Sequence, residues 1–307
     1  MRIAVVGAGA MGSIFGARLT EAGHDTVLVD VAGPLVEKLS RDGVTLVQDG
    51  QERVVEVEAT TDPASFGAAD AVVFFVKCYH TESAAKGAAP LVGAHTAVAS
   101  LQNGWGNEEV LARHFGAERV IAGVTYDSGT VLELGRVAHT GRGKTLIGPY
   151  EGEALGPTAD LEHVLVDAGF EVEATPSIRT EIWKKLIVNA ATLPTAALTG
   201  LTAGALGQPG ELLELVDEVA REASAVAIVA GYGIDPEERV EVINNLLANA
   251  GAGKASMLQD LEAGRRTELD VITGAVLAEA EAQGVEVPLN TSLFALVRGY
   301  ERAHGLV

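Results

Sequence analysis

The sequence contains very little cysteine and no long apolar run. Cys78 is the only cysteine among the 307 residues, which excludes an intrachain disulfide and a metal cluster held by several thiolates. This usage suits a reducing compartment, so we expect a cytoplasmic protein. The longest apolar runs, such as residues 71–76, are far too short to span a bilayer. Glycines follow the first apolar residues at once, so we expect no signal peptide.

Basic residues are also scarce. Only 22 Lys and Arg oppose 42 Asp and Glu, and the formal net charge is −20. A chain of this charge repels phosphate groups, so we expect neither nucleic acid nor an anionic membrane as a partner. The 7 histidines are scattered and form no pair of the HExxH kind, so we expect no metal site. With 48% apolar residues, the chain is long enough for about two globular domains.

Short apolar runs alternate with helical stretches through the first half of the chain. Residues 2–6 and 25–30 are predicted strands on either side of a glycine turn and a helix. Further strands are expected at 53–59, 69–77, 96–101 and 119–124, antiparallel strands over 125–148, and a last strand at 170–175. Helices are expected at 34–42, 79–88, 107–115 and 156–168. This alternation predicts a parallel, doubly wound sheet.

The strand pattern ends near Pro176, and helical stretches separated by Gly and Pro follow it. These helices are expected at 178–200, 210–231, 236–249, 267–283 and 289–303. The sequence therefore predicts an α/β Rossmann-like N-terminal domain over residues 1–175 and an all-α C-terminal domain over residues 176–307.

A glycine-rich turn, "GAGAMG", follows the first strand and precedes a helix. In the dinucleotide fingerprint, the first glycine permits a tight turn, the second lets a pyrophosphate approach, and the third lets helix and strand pack closely. The pyrophosphate then lies at the helix N-terminus. The predicted cofactor-binding turn consists of Gly7, Ala8, Gly9, Ala10, Met11 and Gly12. The alternative is a turn that only closes a βαβ unit.

Asp30 ends the second predicted strand, 18 residues after Gly12, where the fingerprint places an acidic residue. A carboxylate there accepts hydrogen bonds from the ribose 2′-hydroxyl and repels a 2′-phosphate. No arginine stands at 29–34 to bind that phosphate. We therefore expect NAD as the cofactor, and NADP is the alternative if Arg41 or another cation reaches the phosphate.

The helical stretch "EIWKKLIVNAATLPTAAL", residues 181–198, places Lys185, Asn189 and Thr192 on one side of a helical wheel, with Glu181 beside them. Periodicity alone favours a solvated face on which Glu181 and Lys185 form an ion pair. The alternative is one wall of a cleft, where Lys185 protonates a ketone that receives a hydride and Asn189 binds the substrate. Lys184 lies off this stripe and is the better candidate for an idle charge.

Several motifs together resemble the ketopantoate reductase (2-dehydropantoate 2-reductase) family over nearly the whole chain. They are "GAGAMG", "FFVKCYHT" (74–81), "LQNGWGNEE" (101–109), "WKKLIVNA" (183–190) and "ASMLQDLEAGRRTELDVITG" (255–274). The resemblance implies hydride transfer between a nicotinamide and C2 of a 2-oxo acid, at a site between the two domains. It also implies a possible homodimer formed through the C-terminal helices.

The resemblance assigns roles to particular positions. Lys185 matches the catalytic proton donor, and Glu268 matches a glutamate that helps hold the cofactor and the substrate hydroxyl. Asp260 matches a structural acid. Positions that contact cofactor or substrate are Lys77, Asn103, Asn189 and Ser256, of which Asn103 touches both. Without the resemblance, Ser256 could cap a helix starting near Met257, and Glu268 could be a first-turn acid of a helix.

The chain departs from the family pattern at the substrate and at the cofactor. Leu193, Ala203 and Gly253 stand where the family usually has asparagine, so Leu193 and Gly253 would line a pocket more apolar than ketopantoate requires. Val31 stands where typical members have an arginine for the 2′-phosphate. Both changes favour an NAD-dependent 2-hydroxy-acid dehydrogenase of the D-mandelate type. The alternatives are an NADPH-dependent 2-dehydropantoate 2-reductase of pantothenate synthesis and a non-catalytic nucleotide-sensing regulator.

Overall fold

The computed structural model describes residues 1–152 and 156–307, which form two compact units. The first unit contains Met1–Gln102 and Asn107–Ile178, and the second contains Asn103–Gly106 and Arg179–Val307. The short segment Asn103–Gly106 thus packs with residues far away in the sequence. A single predicted domain boundary near residue 175 does not account for this segment.

The first unit carries the strands and about half of the helices. Its strands are β1 (Arg2–Val6), β2 (Asp25–Val29), β3 (Val44–Gln48), β4 (Gln51–Val55), β5 (Glu58–Thr60), β6 (Ala69–Phe74), β7 (Val92–Ser100), β8 (Val120–Thr125), β9 (Ser128–Glu133), β10 (Arg136–Gly141), β11 (Thr145–Pro149) and β12 (Val172–Ala174). Its α-helices are α1 (Ala10–Glu21), α2 (Gly33–Asp42), α3 (Pro63–Phe66), α4 (Thr81–Ala88), α5 (Asn107–Phe115) and α6 (Gly156–Asp167).

The larger sheet has the strand order β12-β11-β8-β7-β6-β1-β2-β5. The six neighbouring strands β8, β7, β6, β1, β2 and β5 are parallel to one another. By contrast, β11 pairs antiparallel with β8. Residues 3–6 of β1 and 71–74 of β6 are buried, as expected of parallel strands covered by helices on both faces. The Rossmann-like prediction for the first half is confirmed.

The smaller sheet, in the order β4-β3-β10-β9, was not expected. The predicted strand 53–59 is wrong, because β4 ends at Val55 and β5 begins at Glu58 in the other sheet. The cause is a two-residue hairpin at Asp49 and Gly50, with φ of 53° and 74°, which folds β4 back on β3. Asp-Gly is a strong hairpin signal, but apolar periodicity carries no trace of it.

The predicted antiparallel region 125–148 divides between the two sheets. β9 and β10 form an antiparallel hairpin in the smaller sheet, and β10 also pairs in parallel with β3. β11 joins the larger sheet instead. The strand expected at 69–77 is also shorter than predicted, since β6 ends at Phe74 and a 3-10 turn, Cys78–His80, precedes α4.

The second unit is helical, which confirms the all-α prediction for the second half. Its α-helices are α7 (Ile178–Thr199), α8 (Ala203–Leu206), α9 (Glu211–Val229), α10 (Pro236–Asn249), α11 (Ser256–Glu262), α12 (Thr273–Gln283) and α13 (Pro288–Ala303). α9 packs against α10, α12 and α13. The apolar core includes Trp183, Ile187, Ala190 and Ala191 of α7.

The helix expected at 267–283 is wrong at its start. Leu269–Val271 form a 3-10 turn, and α12 begins only at Thr273. The reason is a contact distant in sequence: Thr267 donates its backbone N–H and its hydroxyl to Glu301 Oε1, at 2.8 and 2.7 Å. Helical periodicity carries no information about such a contact.

Within the described part of the chain, every helix is too short or too polar to cross a membrane.

Two glycines of the smaller sheet test how much close packing contributes there. Gly43 and Gly50 both have φ of 74°, but a Cβ on Gly43 would lie 2.4 Å from the Val55 carbonyl oxygen. A Cβ on Gly50 would meet no described atom within 4 Å. We expect Gly50→Ala to lower the free energy of unfolding by about 1 kcal/mol, from the backbone conformation alone. Gly43→Ala should cost roughly 1–3 kcal/mol more because of the overlap.

Urea unfolding followed by circular dichroism measures both costs on matched variants. Equal losses for the two alanines would contradict this account of Gly43.

Candidate functional site

Close contacts within the fold require glycine at two positions of the turn between β1 and α1. Gly7 has φ of 98°, and a Cβ there would lie 2.8 Å from the Val76 amide nitrogen. A Cβ on Gly12 would lie 1.8 Å from the Gly7 carbonyl oxygen. The first glycine therefore serves the turn and the third serves the packing of α1 on the turn, as the fingerprint predicts.

Gly9 differs from both. Its φ is −67°, and a Cβ there would meet no atom of the described residues within 4 Å. The protein therefore has no need of a glycine at this position, whereas a bound group approaching the backbone would need one. Among the described residues, no side chain caps the N-terminus of α1 and no acid stands in its first turn. These features fit a pyrophosphate at the helix N-terminus.

The Asp30 carboxylate is tied to this turn. Its Oδ2 accepts the Ala8 N–H at 2.8 Å, and its Oδ1 accepts the Ala32 N–H at 2.9 Å. A carboxylate oxygen can accept a second hydrogen bond, so both oxygens can also receive ribose hydroxyls. The neighbouring Val31 is 97% exposed. The guanidinium of Arg41 pairs with Asp42 at 2.9 Å, and it is thus engaged within its own helix.

Lys77 lies beyond β6 and directly before the 3-10 turn Cys78–His80, not at the strand end that the sequence suggested. A buried network supports this loop. Gln102 Nε2 donates to the Val76 carbonyl and to Thr81 Oγ1, both at 2.8 Å, and Thr81 Oγ1 donates to Asn107 Oδ1 at 2.9 Å. These supporting residues were not predicted from the sequence, although Gln102 belongs to the same "LQNG" motif as Asn103.

The Lys185 amine and the Asn103 side chain meet within the second unit. Lys185 Nζ donates to Asn103 Oδ1 at 2.8 Å, across 82 residues of sequence. Lys185 is half-buried. The structure therefore brings together the residue proposed as a proton donor and the residue that the resemblance places on both cofactor and substrate.

The solvated-face interpretation of α7 is wrong. Glu181 accepts a hydrogen bond from Lys184 at 2.8 Å and not from Lys185, whose amine is directed to Asn103. Asn189 and Thr192 are only 9% and 6% exposed. The polar stripe on this helix thus faces protein rather than bulk water.

The segment that holds Glu268 is anchored to α13. Glu268 is 6% exposed and directly precedes the 3-10 turn Leu269–Val271, so it is not a first-turn acid of a helix. Its neighbour Thr267 binds Glu301, which is fully buried and also accepts from Arg298 Nη1 at 3.0 Å. This network fixes the backbone on the N-terminal side of Glu268.

Asp260 acts within the fold. Its carboxylate is buried and accepts from Arg265 Nη2 at 2.9 Å and Nε at 3.1 Å, consistent with a structural acid. Ser256 is exposed and is the first residue of α11, whose N-cap is Ala255, so the capping interpretation is wrong.

Two of the positions that lack the family asparagine are neighbours in space. The Ala203 N–H donates to the Gly253 carbonyl oxygen at 2.8 Å, and Gly253 is exposed. The third position, Leu193, is buried in the apolar core of the second unit.

Among the described residues, no group of three or more His, Cys, Asp and Glu side chains could hold a metal ion.

Gly9 and Gly12 make a matched pair for testing the nucleotide turn. We expect Gly9→Ala to leave the free energy of unfolding within about 0.5 kcal/mol of the parent but to weaken NADH binding about 10-fold or more. Gly12→Ala should instead destabilise the protein by several kcal/mol, since its Cβ would overlap a backbone oxygen 1.8 Å away. Fluorescence titration with NADH and urea unfolding separate the two effects. Unchanged NADH affinity in a folded Gly9→Ala variant would contradict the assignment.

Comparisons with known proteins agree with this architecture. The model of the ketopantoate reductase PanE/ApbA family matches residues 3–152, and the model of its C-terminal domain matches residues 177–301. A 2-dehydropantoate 2-reductase from Archaeoglobus fulgidus is 35% identical over 98% of each chain. The structure of a PanE/ApbA family ketopantoate reductase from Ralstonia eutropha is 33% identical, with a TM-score of 0.90 over 99% of this chain and 100% of that one.

A further structural neighbour is a D-mandelate dehydrogenase in a ternary structure with NADH and anilino(oxo)acetate. It is 24% identical and covers 100% of both chains with a TM-score of 0.95, so it supports the fold alone. From the family models and the relatives above 30% identity, the chain belongs to the ketopantoate reductase family of oxidoreductases.

Proposed function

We propose that this protein is an NAD-preferring reductase of 2-oxo acids, in which Lys185 donates the proton and the turn Gly7–Gly12 binds the dinucleotide. The observation that carries the proposal is the 2.8 Å hydrogen bond between Lys185 Nζ and Asn103 Oδ1. It joins the position that matches the family's proton donor to a position that the resemblance places on both cofactor and substrate.

The cofactor assignment rests on the glycine turn and on Asp30. A bound nicotinamide would supply the hydride that reduces C2 of the 2-oxo acid. The Asp30 carboxylate, hydrogen-bonded to Ala8 and Ala32, carries its charge beside the turn and favours a free ribose diol over a 2′-phosphate. The uncharged side chain of Val31 cannot form an ion pair with that phosphate. The D-mandelate dehydrogenase of the same fold was solved with NADH.

Lys185 is suited to general acid catalysis. As C2 is reduced, negative charge develops on the carbonyl oxygen, and a donor must supply a proton to it. An ammonium group has three N–H bonds, so Asn103 can orient one while another points to the substrate. We assign Glu268 to the substrate hydroxyl and the ribose, and Asn189 to the substrate beside Lys185.

The substrate is proposed to be a 2-oxo acid with an apolar side chain. Ser256, exposed at the start of α11, is suited to its carboxylate. Leu193, Ala203 and Gly253 offer no side-chain amide to a hydroxyl on the far end of the substrate. Each hydroxyl buried without a partner would cost roughly 1–3 kcal/mol of binding. The anilino(oxo)acetate bound by the D-mandelate dehydrogenase is such an oxo acid with an aromatic end.

A second candidate is reduction of ketopantoate with NADPH, as in pantothenate synthesis. The names of the relatives favour it, among them the 2-dehydropantoate 2-reductase from Archaeoglobus fulgidus at 35% identity. The two candidates share the fold and the proton donor, and they differ only in the groups around the substrate tail and the ribose.

A substrate-by-cofactor panel distinguishes the candidates. We expect kcat/KM for phenylglyoxylate or 2-ketoisovalerate with NADH to exceed that for ketopantoate by about 10-fold, the equivalent of one unpaired hydroxyl. NADH should be preferred to NADPH for each acid. The highest kcat/KM for ketopantoate with NADPH would establish the second candidate. NADH binding without turnover of any acid would indicate a nucleotide-sensing regulator.

Lys185 and Lys184 provide a matched pair of adjacent lysines. Lys185→Met should lower kcat by about 10²–10⁴-fold, the usual loss for a general acid, with little change in NADH affinity. Lys184→Met removes only a partly buried ion pair with Glu181 and should leave kcat within about 3-fold of the parent. Stopped-flow oxidation of NADH measures both rates. Equal activity in the two variants would refute the proton-donor assignment.

A further inference from the structure

The segment Asn103–Gly106 is fixed within the second unit by an aromatic cluster, defined here as Trp105, Trp183 and Tyr232. The Trp105 ring centroid lies 5.8 Å from that of Trp183 and 5.8 Å from that of Tyr232, to which it is edge-on. Trp183 and Tyr232 stack on each other at 5.1 Å. Arg179 belongs to the same helix as Trp183, and its guanidinium carbon lies 5.2 Å from the Trp105 ring centroid. Trp105 is thus held on several sides.

The backbone of the segment is fixed against a second element. The Trp105 N–H donates to the Val271 carbonyl oxygen at 2.8 Å. At Gly104, with φ of 89°, a Cβ would lie 2.4 Å from Val271 Cγ2. Only glycine permits this approach, so the chain passes directly over the turn that follows Glu268.

The residues around Trp105 do not define a conformation by themselves. Gly104 and Gly106 flank it, with φ of 89° and 100°. Glycine is the residue with the greatest conformational freedom, so two of them leave the segment mobile unless something else holds it. A tryptophan ring buries a large apolar area and loses little side-chain entropy, which makes it an effective anchor. The ring of Trp105 therefore supplies the conformational restraint that the two glycines do not provide.

We propose that Trp105 is a positioning residue for the reaction: it holds the segment so that Asn103 Oδ1 stays on the Lys185 amine. This inference rests on the proposed role of Lys185. Asn103 lies two residues before the anchored ring, and Lys185 lies two residues after Trp183 of the same cluster. The aromatic cluster therefore fixes the two chain segments that supply the hydrogen bond. In this role Trp105 acts on the chemistry only through Asn103.

We expect the rest of the unit to tolerate the loss of the Trp105 ring. Trp183 is fully buried and stacks directly on Tyr232, whereas Trp105 is only half-buried. Loss of the Trp105 ring is therefore expected to release the segment while α7 and its core remain in place.

A double-mutant cycle tests whether Trp105 acts through Asn103. We expect Trp105→Ala and Asn103→Ala each to lower kcat, measured at saturating NADH, by about 10–100-fold, the loss usual for a misplaced catalytic group. The double variant should be no slower than Asn103→Ala alone. Trp105→Phe keeps a ring and should recover most of the rate. Losses that multiply in the double variant would overturn the proposal.

Chemical labelling tests the same inference without any turnover. Reductive methylation with formaldehyde and cyanoborohydride, read by mass spectrometry, reports how fast the Lys185 amine reacts, with Lys184 in the same chain as internal reference. We expect Lys185 to react several-fold faster in Trp105→Ala, as fast as in Asn103→Ala, and at the parent rate in Trp105→Phe. Tyr300→Ala removes a ring of α13 that stacks on His304 and should leave the reaction rate of Lys185 unchanged.

The outcomes separate this inference from the proposed function. An unchanged Lys185 reaction rate in Trp105→Ala overturns the positioning role, whatever the substrate is. Faster labelling together with full activity of Lys185→Met supports the positioning role and refutes the proton-donor role. If Trp105→Ala does not fold, Trp105→Leu gives the same comparison with an apolar side chain that lacks the ring.

Discussion

The hydrogen bond between Lys185 and Asn103 is the interaction on which the proposed site depends. A lysine side chain has many rotamers, and an unrestrained amine would sample positions far from any one oxygen. Asn103 restricts it from a segment 82 residues away in sequence. The fold provides this by packing four residues of the first half, Asn103–Gly106, into the helical second unit.

The nucleotide turn shows how three similar residues serve different purposes. Gly7 and Gly12 are required by close contacts within the protein, whereas Gly9 has open space where a Cβ would stand among the described residues. A glycine that no contact within the fold requires, such as Gly9, therefore indicates the position of a bound group. Asp30 contributes a negative charge to this site. Its carboxylate is hydrogen-bonded to the same turn, and residues 29–34 contain no Lys or Arg to neutralise it.

Much of the fold was accessible from the sequence, because apolar periodicity and glycine placement are local signals. The parallel sheet, the glycine turn and the helices α7, α9, α10 and α13 follow from them. The smaller sheet was missed because its Asp49-Gly50 hairpin lies in a polar stretch. The start of α12 was misplaced because Thr267 binds Glu301, 34 residues away. Periodicity also favoured a solvated stripe on α7, since it cannot distinguish a polar face toward water from one toward protein.

The central claim is that Asn103 holds the Lys185 amine in position to donate a proton. Single-turnover oxidation of bound NADH by a saturating 2-oxo acid, compared between the parent and Asn103→Ala, tests it most directly. We expect a rate constant about 10–100-fold lower in the variant at saturating NADH, where a change in NADH affinity does not enter the rate. An unchanged single-turnover rate in the folded variant would contradict it.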